Sequence, residues 1–490
     1  MKEKDKSNYQ SEIESVISGG YCIGCGVCSA VSNGSVQVSL NELGMYNAKL
    51  NVSFANQKIE VFQKIDYVCP FTDKGHNETE ISQELFPKSA IIDSKAGRYS
   101  YSYAGWVEED NFRSNGSSGG MVSWFLCELL RNNEVDYVIH VKPNNSNGEK
   151  PLFNFAVSQS QEEIRLGSKS RYYPVSYSET LELIRETPGR YAVVGLPCFI
   201  KAIRLLSNVD YIFRERITTT VGLVCGHLKS AFYLDMMAWQ LGIPPENTEL
   251  FDFRKKIECD DAHNYGVEAK GKYAPEMKQA FARNLYGTNW GYGFFKYHAC
   301  DFCDDVLAET ADIVFGDAWI DQYDKDWRGT NIIVVRNERL NVILTHAVIS
   351  NKIVLNELSL EDLIASQSGS FRHRRDGLSI RLAEKKRNGK WVPRKRVEVS
   401  ELASRILESN LYVVRMKMSS FSHLAFQEAL NKDDFNIFKQ RMSKYESEYL
   451  KAMAIRDFFR GRPKRIINLF KTYAKQLLKN IKRYINDRKF

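Results

Sequence analysis

Hydrophobic positions change their spacing several times along this 490-residue chain. Ile13, Val16 and Ile17 recur at helical intervals, and Gly19-Gly20 stop that predicted helix. Val36, Val38 and Leu40 alternate, as do Tyr46, Ala48 and Leu50 beyond Asn41–Gly44, so this stretch predicts a hairpin. Residues 54–66 are expected to lead, helical or irregular, to Cys69, and the polar run from Asp73 to about Lys88 reads as a linker. From Tyr99 the pattern predicts strands at Tyr103–Val107, Val135–Val141, Phe153–Val157, Tyr191–Gly195, Thr218–Cys225, Tyr265–Ala269, Ile313–Gly316 and Asn331–Arg336. Between them lie helical patterns at Met121–Arg131, Glu179–Arg185, Phe199–Leu206 and Ala231–Leu241, the last stopped by Gly242 and Pro244. Residues 400–455 read as two or more helices. This is an α+β or α/β chain with no internal repeat.

Composition adds little until it is divided. Hydrophobic residues make up 43% and charged residues 26%, as in an ordinary soluble protein, and no stretch approaches the roughly 20 apolar residues of a membrane-spanning helix. The first residues lack the apolar region of a signal peptide, so a cytoplasmic protein is expected. The net charge of +8 is local: residues 451–490 hold thirteen Lys/Arg and two Asp, and the preceding 450 residues sum to −3. A nucleic-acid partner is therefore not expected of the body. In the tail, apolar residues from Ile466 to Ile485 share one face at steps of three and four, with lysines on the flanks and the other face. Residues 463–486 would suit peripheral contact with the inner face of an anionic membrane, or docking on the protein's own body.

Ten cysteines in short spacings change the picture more. In Cys22-Ile23-Gly24-Cys25-Gly26-Val27-Cys28 three thiols recur every third residue with glycines between, as a bacterial ferredoxin presents three ligands to a cubane iron–sulfur cluster. Such a run takes its fourth ligand from a distant Cys-Pro, and Cys69-Pro70 is the only downstream one. Zinc sites use paired Cys-x-x-Cys hooks rather than a triple run, so a cluster is favoured. Clustered thiols in a reducing cytosol argue for metal ligation over disulfides.

Four more cysteines lie further on. Cys198 and Cys225 each follow a predicted strand and are expected to emerge on one sheet edge, where the hook Cys300-Asp301-Phe302-Cys303 can complete a four-thiolate site. Spacing alone leaves an iron–sulfur cluster and zinc equally open. The loop Arg113-Ser114-Asn115-Gly116-Ser117-Ser118-Gly119-Gly120 opens a helix at Met121, offering backbone N–H groups and a positive dipole end to a diphosphate; a flexible loop with a serine cap is the alternative. Cys127 and Cys259 read as spare thiols.

Taken in order, Gly195-Leu196-Pro197-Cys198, Val224-Cys225-Gly226-His227, Cys300-x-x-Cys303, Ala311–Trp319 and Gly329-Thr330-Asn331 resemble the beta subunits of coenzyme F420-reducing hydrogenases and formate dehydrogenases. Ser118-Gly119-Gly120 and Gly167-Ser168-Lys169-Ser170 fit the same pattern, and the resemblance spans roughly residues 20–350. The stretch Ser170–Pro174 departs from it, which bears on the second substrate. The resemblance implies that Cys198, Cys225, Cys300 and Cys303 hold a second 4Fe-4S cluster beside an FAD, whose diphosphate meets Asn115, Ser117, Ser118, Gly119 and Gly120. Asp317 and Trp319 are expected to face the flavin or make a turn, Lys169 or Arg171 to balance reduced flavin or sit in a surface ion pair, and His227 to bond a cluster sulfur or sit as a satisfied histidine. The fused N-terminal cysteine loop looks like the ferredoxin-dependent flavoprotein reductases of that family.

The expected architecture is α+β: a ferredoxin-like 4Fe-4S domain (1–75), a mixed α/β flavin and iron–sulfur body (90–350), and a helical basic C-terminal extension (351–490). The expected function is an oxidoreductase passing electrons from ferredoxin or another redox carrier through two 4Fe-4S clusters to FAD, and on to a small-molecule substrate or the deazaflavin coenzyme. The alternatives are a non-catalytic electron-transfer subunit of a larger complex, and a zinc-stapled scaffold.

Overall fold

The computed structural model describes residues 9–51, 58–144, 150–259, 261–400, 410–459 and 461. The tail expected to form a basic amphipathic helix lies outside them.

The N-terminal hairpin forms where alternation predicts it, β1 (Val36–Leu40) against β2 (Tyr46–Leu50). Helices Ile13–Ser18, Val27–Val31 and Ile59–Val68 surround it. The buried Asp66 carboxylate accepts from Ser11 Oγ and from the Glu12 and Ile13 amides, fixing the helix that delivers Cys69. The stretch read as a polar linker instead contains the helix Glu78–Leu85, because Asn77 and Glu80 form a reciprocal capping box. Glu78 anchors it internally, in ion pairs to Lys201 at 3.2 Å and Arg396 at 3.5 Å. A small hairpin, β3 (Ile91–Asp93) and β4 (Gly97–Tyr99), leads into the body.

Eight strands then build one mixed sheet. They are β5 (Tyr101–Val107), β6 (Tyr137–Pro143), β7 (Phe153–Ser158), β8 (Tyr191–Gly195) and β9 (Ile217–Leu223), with β13 (Ile313–Asp317), β14 (Asn331–Val335) and β15 (Ile353–Glu357). Their order is β15-β5-β14-β13-β9-β8-β6-β7, and β6, β8, β9 and β13 run parallel at its centre. Every residue of β8 and β14 is buried, as continuous apolar strands covered on both faces require. Between β9 and β13, β10 (Thr248–Lys255), β11 (Gly266–Gly271) and β12 (Ala274–Phe281) form a separate antiparallel sheet.

Helices Asn410–Asn431 and Phe435–Phe459 pack against each other and share a core with Phe232, Phe294 and Phe295 of the body. The cysteine loop also lacks a core of its own: Ile13, Tyr21 and Ile23 are buried in one cluster with Phe199, Tyr297 and Phe302. Among the described residues no helix is long and apolar enough to cross a membrane.

Candidate functional site

Cys22, Cys25, Cys28 and Cys69 line one small cavity. Gly24 makes the turn between the first two, at φ +67°, where a Cβ would stand 2.3 Å from that of Tyr46. The amides of Gly24 and Ala48 donate to Cys22 Sγ at 3.4 and 3.3 Å. Burial pushes the Cys25 thiol up to about 12 and the Cys28 thiol well above its ordinary value. Thiols held up in this way stay protonated until a metal displaces the protons.

The second set assembles as the strand ends predict. Gly195 and Gly222 are partners in the parallel β8–β9 pair, so Cys198 and Cys225 leave the same sheet edge. Pro197 starts the following helix two residues earlier than its apolar pattern suggests, which places Cys198 in the first turn. A short 3-10 turn, His298–Phe302, brings in Cys300 and Cys303. Burial raises Cys225 to about 11 and Cys300 to about 12, and Cys198 interacts with all three others. The Leu228 amide donates to Cys300 Sγ at 3.3 Å, and Arg374 donates to Cys303 Sγ and to the carbonyls of Cys225 and Gly226. Arg374 is 1% exposed. Burial opposes its charge, but the four thiols, Cys303 foremost, hold its pKa above the ordinary arginine value. Among the described residues no three His, Cys, Asp or Glu side chains stand close enough to share one metal ion.

Tyr297 joins the two sets. Its hydroxyl accepts from the Tyr46 amide at 2.8 Å, two residues from the amide bonded to Cys22, and its carbonyl accepts from the Cys300 amide at 3.1 Å.

A cavity of about 890 Å3 opens beside the second set, with Cys225 in its wall. Val141, Val194, Leu223 and Asp317 line it, so it lies at the carboxyl ends of the parallel strands, the usual ligand crevice of such sheets. The glycine–serine loop supplies Gly116, Ser117, Ser118 and Gly120. Gly120 caps the helix at φ +82°, and a Cβ there would strike Phe112 at 2.5 Å. The two serine hydroxyls are committed to holding the loop: Ser118 Oγ donates to Thr330 O at 2.8 Å, and Ser117 Oγ accepts from the Ser170 amide at 2.7 Å. Asn331 Oδ1 accepts from the Met121 amide, which explains the Gly329-Thr330-Asn331 motif as the loop's backing. Gly119 sits behind the loop against Gly105 and Asn331, and Asn115 is exposed at the end of a short helix; neither lines the cavity.

Lys169 and Arg171 both line it. Lys169, at φ +89°, pairs with Asp252 at 3.1 Å. Arg171 donates to Ser168 O and packs over Phe153, with Nε and Nη1 buried and unpartnered. Asp317 pairs with Arg254 at 3.2 Å, and Arg254 donates to Ser117 O and stacks over Tyr265 and Trp319. The His227 ring stands edge-on to Trp290 at 4.3 Å in the cavity wall, its Nε2 unpartnered. Cys127 is buried in an apolar cluster, and Cys259 donates to Asp261 O. Sequence reasoning missed Arg374, Arg254 and Tyr297; Arg374 stands in the basic run Phe371-Arg372-His373-Arg374-Arg375, and its thiol partners are distant in the chain.

Residues 102–182 match the N-terminal model of the family described as coenzyme F420 hydrogenase/dehydrogenase, beta subunit, and residues 189–361 match that family's C-terminal model, together just over half of the chain. A curated relative, the coenzyme F420-dependent sulfite reductase of Methanocaldococcus jannaschii, is 24% identical over 315 residues, 63% of this chain and 44% of that protein. The chain thus spans less than half of that relative's length. A solved structure of the F420-reducing NiFe hydrogenase complex from Methanosarcina barkeri aligns at 15% identity and a TM-score of 0.47, over 62% of this chain and 99% of that one.

Proposed function

Because the chain belongs to the coenzyme F420 hydrogenase/dehydrogenase beta-subunit family, we propose that it is an iron–sulfur flavoprotein oxidoreductase. It takes electrons from ferredoxin or another redox carrier and delivers them to an organic substrate or to the deazaflavin coenzyme. In this reading Cys22, Cys25, Cys28 and Cys69 in a ferredoxin-like domain (1–75) hold one 4Fe-4S cluster, and Cys198, Cys225, Cys300 and Cys303 hold a second. Both FAD and the second cluster belong to the body (90–350), which the helical extension (351–490) completes. The protein acts in the cytoplasm, with residues 463–486 touching the inner face of the membrane.

One observation carries the reading: two sets of four cysteines, buried or half-buried, are joined through Tyr297, and the second opens through Cys225 into a cavity of about 890 Å3. When bound, the clusters would carry single electrons and the flavin would convert them to hydride chemistry.

The chain's own groups tune that chemistry. Amide and guanidinium donors to Cys22, Cys300 and Cys303 withdraw negative charge from the sulfurs, which raises a cluster's potential. At the glycine–serine loop, the start of the helix Met121–Arg131 and the Lys169 and Arg254 cations favour a diphosphate. Arg171, with unpartnered nitrogens in the wall, is the better placed of the two candidates to neutralise a reduced flavin; Lys169 is already paired with Asp252.

Anaerobic purification with iron, sulfide and flavin quantified per chain tests this. Iron for two cubanes and one FAD are expected, with turnover by the isolated chain on a chemical donor. Full cofactor content without turnover would mark a non-catalytic electron-transfer subunit, and zinc in place of iron would overturn the reading.

A further inference from the structure

The far wall of the large cavity is built by sequence beyond the family match, which ends at residue 361. Leu411, Tyr412 and Arg415 of one long helix and Tyr449, Met453 and Arg456 of the next line it. The wall is firm, because Phe426 and Phe438 of these helices are fully buried against Phe295 of the body. A part of the chain that merely decorated the surface would not reach this cavity.

The lining is strongly cationic. Among the described residues it holds seven Lys and Arg side chains and one carboxylate, Asp317. Asp317 is matched by Arg254, Lys169 by Asp252, and Arg456 by Asp457 at 2.9 Å. Arg171, Lys229 and Arg415 have no carboxylate within ion-pair reach among the described residues. Arg415 makes only contacts at the 3.5 Å limit, to His373 Nδ1 and to Trp290 O, and its Nε is buried without a partner. Lys229 is 1% exposed, donates to Phe294 O and lies 4.7 Å from the centre of the Trp290 ring. Arg415 is a half-buried guanidinium in the cavity wall with no carboxylate beside it among the described residues, so an anion entering there would supply the missing counter-charge.

A flavin diphosphate would be met at the glycine–serine loop, beside Arg254 and Lys256, which bond the carbonyls of Ser117 and Ser118. Arg415 belongs to the other wall, where Trp290, Gly291 and Tyr449 adjoin it. We infer that this end of the cavity is a substrate subsite for an organic molecule carrying an oxyanion group, carboxylate or phosphate, seated against Trp290 and held by Arg415. The inference names the substrate class for the oxidoreductase reading and rests on it for its purpose; the anion site itself stands on the cavity alone.

The test uses the full chain purified anaerobically, with iron and flavin measured in each preparation. Inorganic pyrophosphate and citrate are titrated by calorimetry into the wild type, R415Q, R415K and a surface control, R441Q, whose arginine pairs with Glu428 on the same helical pair. Wild type and R441Q bind alike, R415Q binds roughly tenfold more weakly or worse, and R415K falls between, since a single ammonium loses the forked contact. Tighter pyrophosphate points to phosphate esters, and tighter citrate to carboxylates. The melting temperature of R415Q stays level or rises, because the lost charge had no partner. Wild-type affinity in R415Q, no binding of either anion by the wild type, or loss of flavin together with the anion would overturn the subsite. Arg415-dependent binding in a chain lacking flavin and iron would sink the oxidoreductase reading and leave the anion site standing.

Discussion

Arg374→Gln offers the sharpest test of how this chain tunes its second cysteine set. The guanidinium is buried, donates to Cys303 Sγ, and also satisfies the carbonyls of Cys225 and Gly226. Reduction adds negative charge to a cluster, so removing a buried positive donor destabilises the reduced form more than the oxidised one, and the potential falls. A hydrogen bond to a charged group is worth about 1.5–3 kcal/mol, which for a one-electron couple at about 59 mV per tenfold change corresponds to a drop of about 65–130 mV. Arg374→Lys keeps the charge but not the three-way contact and should fall between. The assay is an anaerobic redox titration followed by electron paramagnetic resonance, with iron content measured in parallel. The Cys22/25/28/69 signal serves as an internal reference. A full iron complement with an unchanged or higher potential at the second site would refute the reasoning.

Serine at Cys28 or at Cys225 should each remove about half the iron while leaving the other signal intact; an unchanged iron count in either variant ends the assignment. Gly120→Ala forces a Cβ into Phe112 at 2.5 Å from a left-handed residue at φ +82°. It should cost at least about 1–2 kcal/mol and lower flavin retention with iron unaffected, and equal flavin binding would show that the loop does not hold the cofactor. Burial holds His423 down at about 4, with its Nδ1 bonded to Ser419 O. Its unfolded value is about 6.5, so the stability it permits is full above that pH and is lost as pH falls toward 4, reaching about 3 kcal/mol at pH 4. His423→Asn should flatten that acid slope in urea titrations, and parallel curves for variant and wild type would contradict the account.

Much of the fold was legible because it is decided over short distances. Alternation located the hairpin β1–β2, unbroken β-branched runs located β8, β9 and β14, and the helix Met121–Arg131 ends where its apolar period ends. The cysteine spacings are likewise local, since a triple run or a Cys-x-x-Cys hook owes its geometry to the few residues between thiols. The polar stretch around Glu78 misled because charge normally means solvent. Here Glu78 is buried with Lys201 and Arg396, partners whose positions no local pattern announces. The sheet β10–β12 was seen only at its middle strand, since Glu249, Asp252 and Lys255 interrupt the apolar signal of β10.

By itself, then, the sequence determined the elements and the thiol hooks, where each residue answers to neighbours a few positions away. The tertiary structure alone decided which hooks meet, that Tyr297 joins them, and that arginines such as Arg374 from beyond residue 361 enter the interior. Arg374 shows the reason: a guanidinium is stable in the core only where enough acceptors surround it, and its acceptors come from segments near Cys225 and Cys303. Folding brings those segments together; nothing in the basic run around Arg374 could.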